Sequence, residues 1–131
     1  MSASDPLHWP IVSEYLEHAA DGRLVFPVCA DCGESHFPPR VACPHCLSAD
    51  VDLRESAGTG IVYSYTVVHV DYHPTWGERT PYCNALVELD DGPIVFGNVV
   101  DCDPDQVSVG APVTVDFTDV VGTTLPVFVL G

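Results

Sequence analysis

Lysine is absent from this chain, and its only permanent cations are four arginines (Arg23, Arg40, Arg54 and Arg79), set against nineteen acids for a formal net charge of −15. Proteins that grip a phosphate backbone do so with cations that displace condensed counterions. So poor a supply argues against a nucleic-acid or anionic-membrane role. Also missing is any apolar run near the ~20 residues needed to cross a bilayer. The opening stretch, Met1 to Pro10, lacks the basic start and apolar core of a secretory signal. There is no internal repeat and no low-complexity segment. The expectation is a soluble, cytoplasmic protein. The acidity itself fits a salt-loving source and a lysine-poor, GC-rich genome equally well, and neither is a function.

What is present is enough for one ordinary domain or two very small ones: 131 residues, 47% of them hydrophobic, can bury a real core. Four of the six cysteines fall into two pairs, Cys29-Ala-Asp-Cys32 and Cys43-Pro-His-Cys46, ten residues apart. Two residues between cysteines let a tight knuckle aim both sulfurs at one ion, and two knuckles complete a tetrahedral thiolate cage. Gly33 suits the left-handed turn that closes the first knuckle. In a reducing compartment such cysteines are ligands before they are disulfides. The expectation is one structural zinc per chain held by Cys29, Cys32, Cys43 and Cys46, with iron in the same cage as the alternative. A catalytic zinc would keep a position open, and here four thiolates fill the shell. His36 and His45 lie close in sequence, but the spacing does not require either as a ligand.

Hydrophobic periodicity divides the chain into three parts. Residues 1–23 are a lead-in and a helix, with Ile11, Tyr15, Leu16 and Ala19 at helical spacing, Pro10 at its start and Gly22 at its end. This apolar stripe serves either its own core or a partner subunit. Residues 24–57 are the ribbon: Leu24 to Val28 lead as a strand into the first knuckle, Phe37-Pro38-Pro39-Arg40 stiffens the connection, and 49–57 reads as a polar bridge. Residues 58–131 are β throughout, with strands expected at 61–70, 82–89, 94–100, 111–117 and 125–130 and a hairpin at Asp90-Asp91-Gly92. Five short strands and one long early loop (71–81) favour a small closed barrel of the OB type. The fold class is therefore mainly β.

The order of these motifs resembles a known family. A helix and a four-cysteine ribbon carrying Phe37-Pro38-Pro39-Arg40 are followed by Gly58-Thr59-Gly60-Ile61-Val62-Tyr63, then Pro81-Tyr82 ahead of Ala85-Leu86-Val87, then Val109-Gly110-Ala111-Pro112. Over residues 10 to 130 this is similar to the zinc-ribbon/OB-fold acyl-CoA-associated proteins, long catalogued as a domain of unknown function. The resemblance implies a rubredoxin-like zinc ribbon followed by a five-stranded OB barrel. It also implies a non-catalytic accessory subunit that binds a thiolase-fold enzyme, such as an acetyl-CoA acetyltransferase, a thiolase or an aldolase. Such a subunit stabilises its partner, helps shape the CoA channel and meets acyl-CoA only through the complex. Only the four cysteines carry over position by position, and the family lends no catalytic residue.

The residues themselves agree. Nucleophilic catalysis needs a Cys or Ser beside a base. Cys83 and Cys102 are separated by eighteen residues and read as inert thiols. His69 and His73 are the remaining acid/base candidates and read as structural. The 71–81 loop carries Trp76 and Arg79, residue types enriched at interface hot spots. Together with Arg40 these are the partner-binding or CoA-proximal candidates. The alternative function is a nucleic-acid-binding ribbon and OB module, which stacks bases in a basic groove and suits this charge poorly.

Overall fold

The computed structural model describes residues 10–69, 81–120 and 122–131. Helix α1 (Pro10–Ala20) leads into a two-stranded ribbon, β1 (Val25–Cys29) with β2 (Val51–Glu55), and then a closed five-stranded barrel. The barrel strands are β3 (Thr59–Val68), β4 (Tyr82–Leu89), β5 (Ile94–Val99), β6 (Pro112–Val120) and β7 (Thr123–Leu130), ordered β3-β4-β5-β7-β6. A 3₁₀ turn over Pro104–Gln106 precedes β6. Among the described residues no helix is long and apolar enough to cross a membrane.

The helix ends as its sequence requires. Gly22, at φ +78°, takes the left-handed position, donating to the Ala19 carbonyl while Arg23 donates to that of His18. This is the Schellman closure that satisfies the last carbonyls. The apolar stripe turns inward: Tyr15 and Ala19 are buried and Leu16 packs on the core. Burial pushes the Tyr15 hydroxyl up to about 12. Its ring meets Phe37 edge-on, with centroids 5.9 Å apart.

The segment expected to be a polar bridge is partly a strand. Residues Val51–Glu55 pair antiparallel with β1, from Val25↔Glu55 to Cys29↔Val51. Val51 and Leu53 alternate with Asp52 and Arg54, so one face of a solvated ribbon carries the charges while Leu53 on the other packs against the core. The last two strands also run longer than their apolar cores suggest. Their ladder continues through Asp119↔Thr124 to Val120↔Thr123, because cross-strand pairing outweighs the polarity of the tip.

The ribbon and barrel share one core. Leu24, Val25 and Phe26 of the ribbon cluster with Val62, Val87, Val95, Val113 and Phe128 of the barrel. A β-carbon at Gly92, in the β4–β5 hairpin, would stand 2.8 Å from the Phe26 ring, so the absence of a side chain there lets the ring seat. The barrel closes unevenly. β3 and β4 pair along most of their length, with a bulge at Tyr63 between Val62 and Ser64, whereas β5 meets β7 in parallel at the single pair Val99↔Phe128.

Candidate metal centre and apolar surface

Each cysteine pair sits in a knuckle of the same construction. In the first, Gly33 at φ +77° donates to the Cys29 carbonyl, 2.9 Å away, and Cys29 donates to that of Glu34. In the second, Leu47 donates to the Cys43 carbonyl at 2.8 Å and Cys43 to that of Ser48. Leu47 occupies at φ +66° the left-handed position that glycine fills in the first. Amides point at the sulfurs as well: Cys32 N–H at Cys29 Sγ, 3.5 Å, and His45 N–H at Cys43 Sγ, 3.3 Å.

The four thiols are free, and their sulfurs all lie within 4.8 Å of one another. Cys29 and Cys46 are 3.6 Å apart, and Cys32 and Cys43 are 3.7 Å apart. A tetrahedron with Zn–S arms of ~2.3 Å has edges of about 3.8 Å, close to these two separations, so the cage is of the size that a four-thiolate metal needs. Its electrostatics ask for a cation. The Cys32 amide helps draw the Cys29 thiol down to about 7. For Cys32 the Glu34 amide works in the same direction, yet burial and the three neighbouring thiols push it up to about 12. Four thiols this close cannot all ionise in isolation.

His36 is 5% exposed, and neither ring nitrogen has a hydrogen-bond partner. Burial, then His45 and Arg40, holds its basicity down. It is not one of the four clustered ligands, nor is the exposed His45. Cys83 is buried, and its thiol is pushed up first by burial and then by Cys102. Cys102 is raised by burial and by Asp103 and Asp101. Raised thiols are poor nucleophiles at neutral pH. His69 is exposed at the end of β3. His73, Trp76 and Arg79 lie outside the described residues.

Arg40 has a definite setting. It lies at a cavity of about 590 Å³ between α1, the Phe37–Arg40 segment and the β5–β7 seam, lined by Val12, Tyr15, Phe37, Phe96 and Pro126 among others. The cavity opens onto an apolar face of the barrel that sequence reasoning missed. On β3, β4 and β5, Ile61, Tyr63, Leu86, Ile94 and Phe96 are 37–57% exposed. Ile61, Glu88 and Ile94 form one cross-strand row, and Ser64, Leu86 and Phe96 the next. The signal was available in β5, where Ile94 and Phe96 alternate with the buried Val95 and Val99. A strand apolar on both faces has something to cover on each. OB barrels bind oligonucleotides on this second- and third-strand face, and here it carries Glu88 and no cation.

Two family models match: the ChsH2 rubredoxin-like zinc ribbon domain over residues 16–52 and the ChsH2 C-terminal OB-fold domain over 53–118. The chain is 44% identical over 115 residues to a probable enoyl-CoA hydratase alpha subunit of Thermomonospora curvata, covering 87% of this chain but 35% of that one. It is 37% identical over 90 residues to a DUF35 domain-containing scaffold protein of Methanocaldococcus jannaschii, covering 68% of this chain and 63% of the relative. Thus it spans about a third of the first of these relatives and under two thirds of the second. Among solved structures it is similar to a chain of the Ltp2-ChsH2(DUF35) aldolase, with a TM-score of 0.82 and 41% identity, covering 95% of this chain and 98% of that one.

Proposed function

Because the chain belongs to the ChsH2 family of paired zinc-ribbon and OB-fold domains, we propose that it is a non-catalytic, zinc-binding accessory subunit of an acyl-CoA enzyme. Its partner is a thiolase-fold acyltransferase, thiolase or aldolase, which it stabilises and whose CoA channel it helps to shape. The observation that carries this reading is the likeness, over nearly the whole of both chains, to the chain from the Ltp2-ChsH2(DUF35) aldolase. The scaffold-protein name of the archaeal relative points the same way.

One zinc sits in the cage of Cys29, Cys32, Cys43 and Cys46. With all four positions taken by thiolate it offers no site to water or substrate, so it holds the knuckles and supplies no Lewis acid. The chain's own part is mechanical. The ribbon fixes Phe37 to Arg40 beside the barrel, and the barrel presents the apolar face. The partner brings the nucleophile and the acid/base groups, as well as most of the cations that attract CoA, since a chain with four arginines and a net charge of −15 gives no long-range attraction of its own.

A second reading of the partner is favoured by the name of the Thermomonospora relative, an enoyl-CoA hydratase alpha subunit: the same module would then serve a hydratase. The two are separated by purifying the tagged chain from its native source and assaying the co-purified enzyme for thiolytic, aldol and hydratase activity. The isolated chain is expected to turn over neither acetoacetyl-CoA nor an enoyl-CoA. Turnover abolished by Cys83→Ala would defeat the accessory reading.

A further inference from the structure

The seam between β5 and β7 is open on one side of its single pair. Val99 faces Phe128, and Val100 donates to the Phe128 carbonyl at 2.8 Å. Before that pair, the stretch Ile94–Asn98 has β4 on one side and no partner strand on the other among the described residues. Strand alternation fixes which backbone groups face the opening. The Pro93 carbonyl accepts from Leu89 of β4, so odd-numbered residues of β5 turn toward β4. Val100 turns toward β7, and Ile94, Phe96 and Asn98 share its parity. On the opposite lip, Pro126 pairs through β6 with Phe117 and has no N–H to offer. One lip is a strand edge with donors and acceptors, while the other is blunted by proline.

Over this opening lies the 590 Å³ cavity, walled by Val12 and Tyr15 of α1 and by Phe37 and Pro39. Arg40 lines it and is exposed. The one ion pair among the described residues joins Arg23 to Asp21, so Arg40 is an unpaired cation in a strongly acidic chain. From Ile94 to Asn98 the edge is roughly 15 Å long.

We propose that the partner enzyme subunit docks here by strand addition. An extended segment of alternating apolar residues pairs with the free edge of β5 at Ile94 and Phe96, sets its inward side chains into the cavity under α1, and places a carboxylate against Arg40. This deepens the accessory-subunit reading and rests on it. Main-chain hydrogen bonds give such an interface its strength, and the pocket for alternate side chains gives it selectivity. A second copy of the chain is a poor occupant, because −15 meets −15. An acyl chain would fill the cavity but leave the Phe96 backbone groups unanswered. The exposed Leu86 and Ile94 beside the seam extend the contact toward the ~800 Å² per partner of a stable interface.

The test is amide hydrogen exchange on the full chain, alone and with the enzyme subunit that co-purifies with it. In the complex the Ile94 and Phe96 amides are expected to slow at least tenfold, while those of Val95 and Gly97, which already face β4, change little. Arg40→Glu and Val12→Glu, each checked for an unchanged melting profile, are expected to raise Kd at least tenfold. A wild-type complex in which the Ile94 and Phe96 amides exchange as in the free chain overturns strand addition and leaves the accessory reading standing. Failure of the wild-type chain to form any complex overturns both. If acetoacetyl-CoA displaces the partner without changing exchange at Phe96, the cavity belongs to an acyl thioester, and the proposal falls.

Discussion

The Ser56 hydroxyl donates a 2.7 Å hydrogen bond to Oδ1 of Asp91, and the next amide, Ala57 N–H, donates to Oδ2 at the same distance. One carboxylate on the β4–β5 hairpin thus pins the residues that join ribbon to barrel. Burial works against the charge, but the Ala57 and Ser56 hydrogen bonds outweigh it and hold the Asp91 carboxyl below its ordinary value.

Asp91→Ala is therefore expected to destabilise the protein by about 1–2 kcal/mol, since it leaves the buried Ser56 hydroxyl without its acceptor. The pH dependence follows from the sign of the shift. A carboxyl lowered in the folded state stabilises fully above its unfolded value of ~3.9 and loses that contribution as pH falls through the folded value. Urea unfolding of wild type and Asp91→Asn should differ at pH 7 and converge as pH falls through the lowered value of Asp91. A constant difference across that range would mean the charge is irrelevant to the joint.

Metal removal should reach beyond the knuckles. Structural zinc contributes roughly 10–16 kcal/mol of apparent binding energy in small sites, and β1, which enters the first knuckle, also places Val25 and Phe26 in the shared core. Elemental analysis is expected to give one zinc per chain. Cys43→Ser or chelation should disorder residues 29–48 and lower the melting temperature of the barrel while leaving its sheet signature in circular dichroism. Natively purified protein without zinc or iron would contradict the cage assignment.

Leu47 is 80% exposed and sits at φ +66°, a conformation that costs an L-residue about 1–2 kcal/mol. Gly33 fills the equivalent place in the first knuckle. Leu47→Gly should accordingly gain about 0.5–1 kcal/mol after the extra chain entropy of glycine is subtracted. Thermal melting of the zinc-loaded protein should show a rise of a few degrees. A fall would mean that the leucine side chain has a packing role the chain alone does not display.

Local signals carried most of this architecture. The cysteine spacing specified the clustered sulfurs, Asp90-Asp91-Gly92 marked the β4–β5 hairpin, and the strands expected at 82–89 and 94–100 lie close to Tyr82–Leu89 and Ile94–Val99. Strand β2 was missed because Asp52, Arg54 and Glu55 make it polar, and its pairing with β1 is a long-range event across both knuckles. The fusion of ribbon and barrel was equally hidden. Nothing near Phe26 in sequence says that its ring will lie against Gly92, 66 positions later. The cavity at Arg40 depends on four separate segments meeting. The Trp76 and Arg79 expectations lie outside the described residues and stand as proposals for the partner interface.

The central claim, that this chain is a non-catalytic subunit completing an acyl-CoA enzyme, is tested most directly by size-exclusion chromatography with light scattering. The chain is co-expressed with the enzyme subunit that co-purifies with it, and acyl-CoA turnover is followed across the fractions. The account predicts co-elution at micromolar concentration, with activity in the shared peak, and a partner that loses activity, solubility or both when made alone. Separate elution of the two chains, with the enzyme fully active by itself, would contradict it.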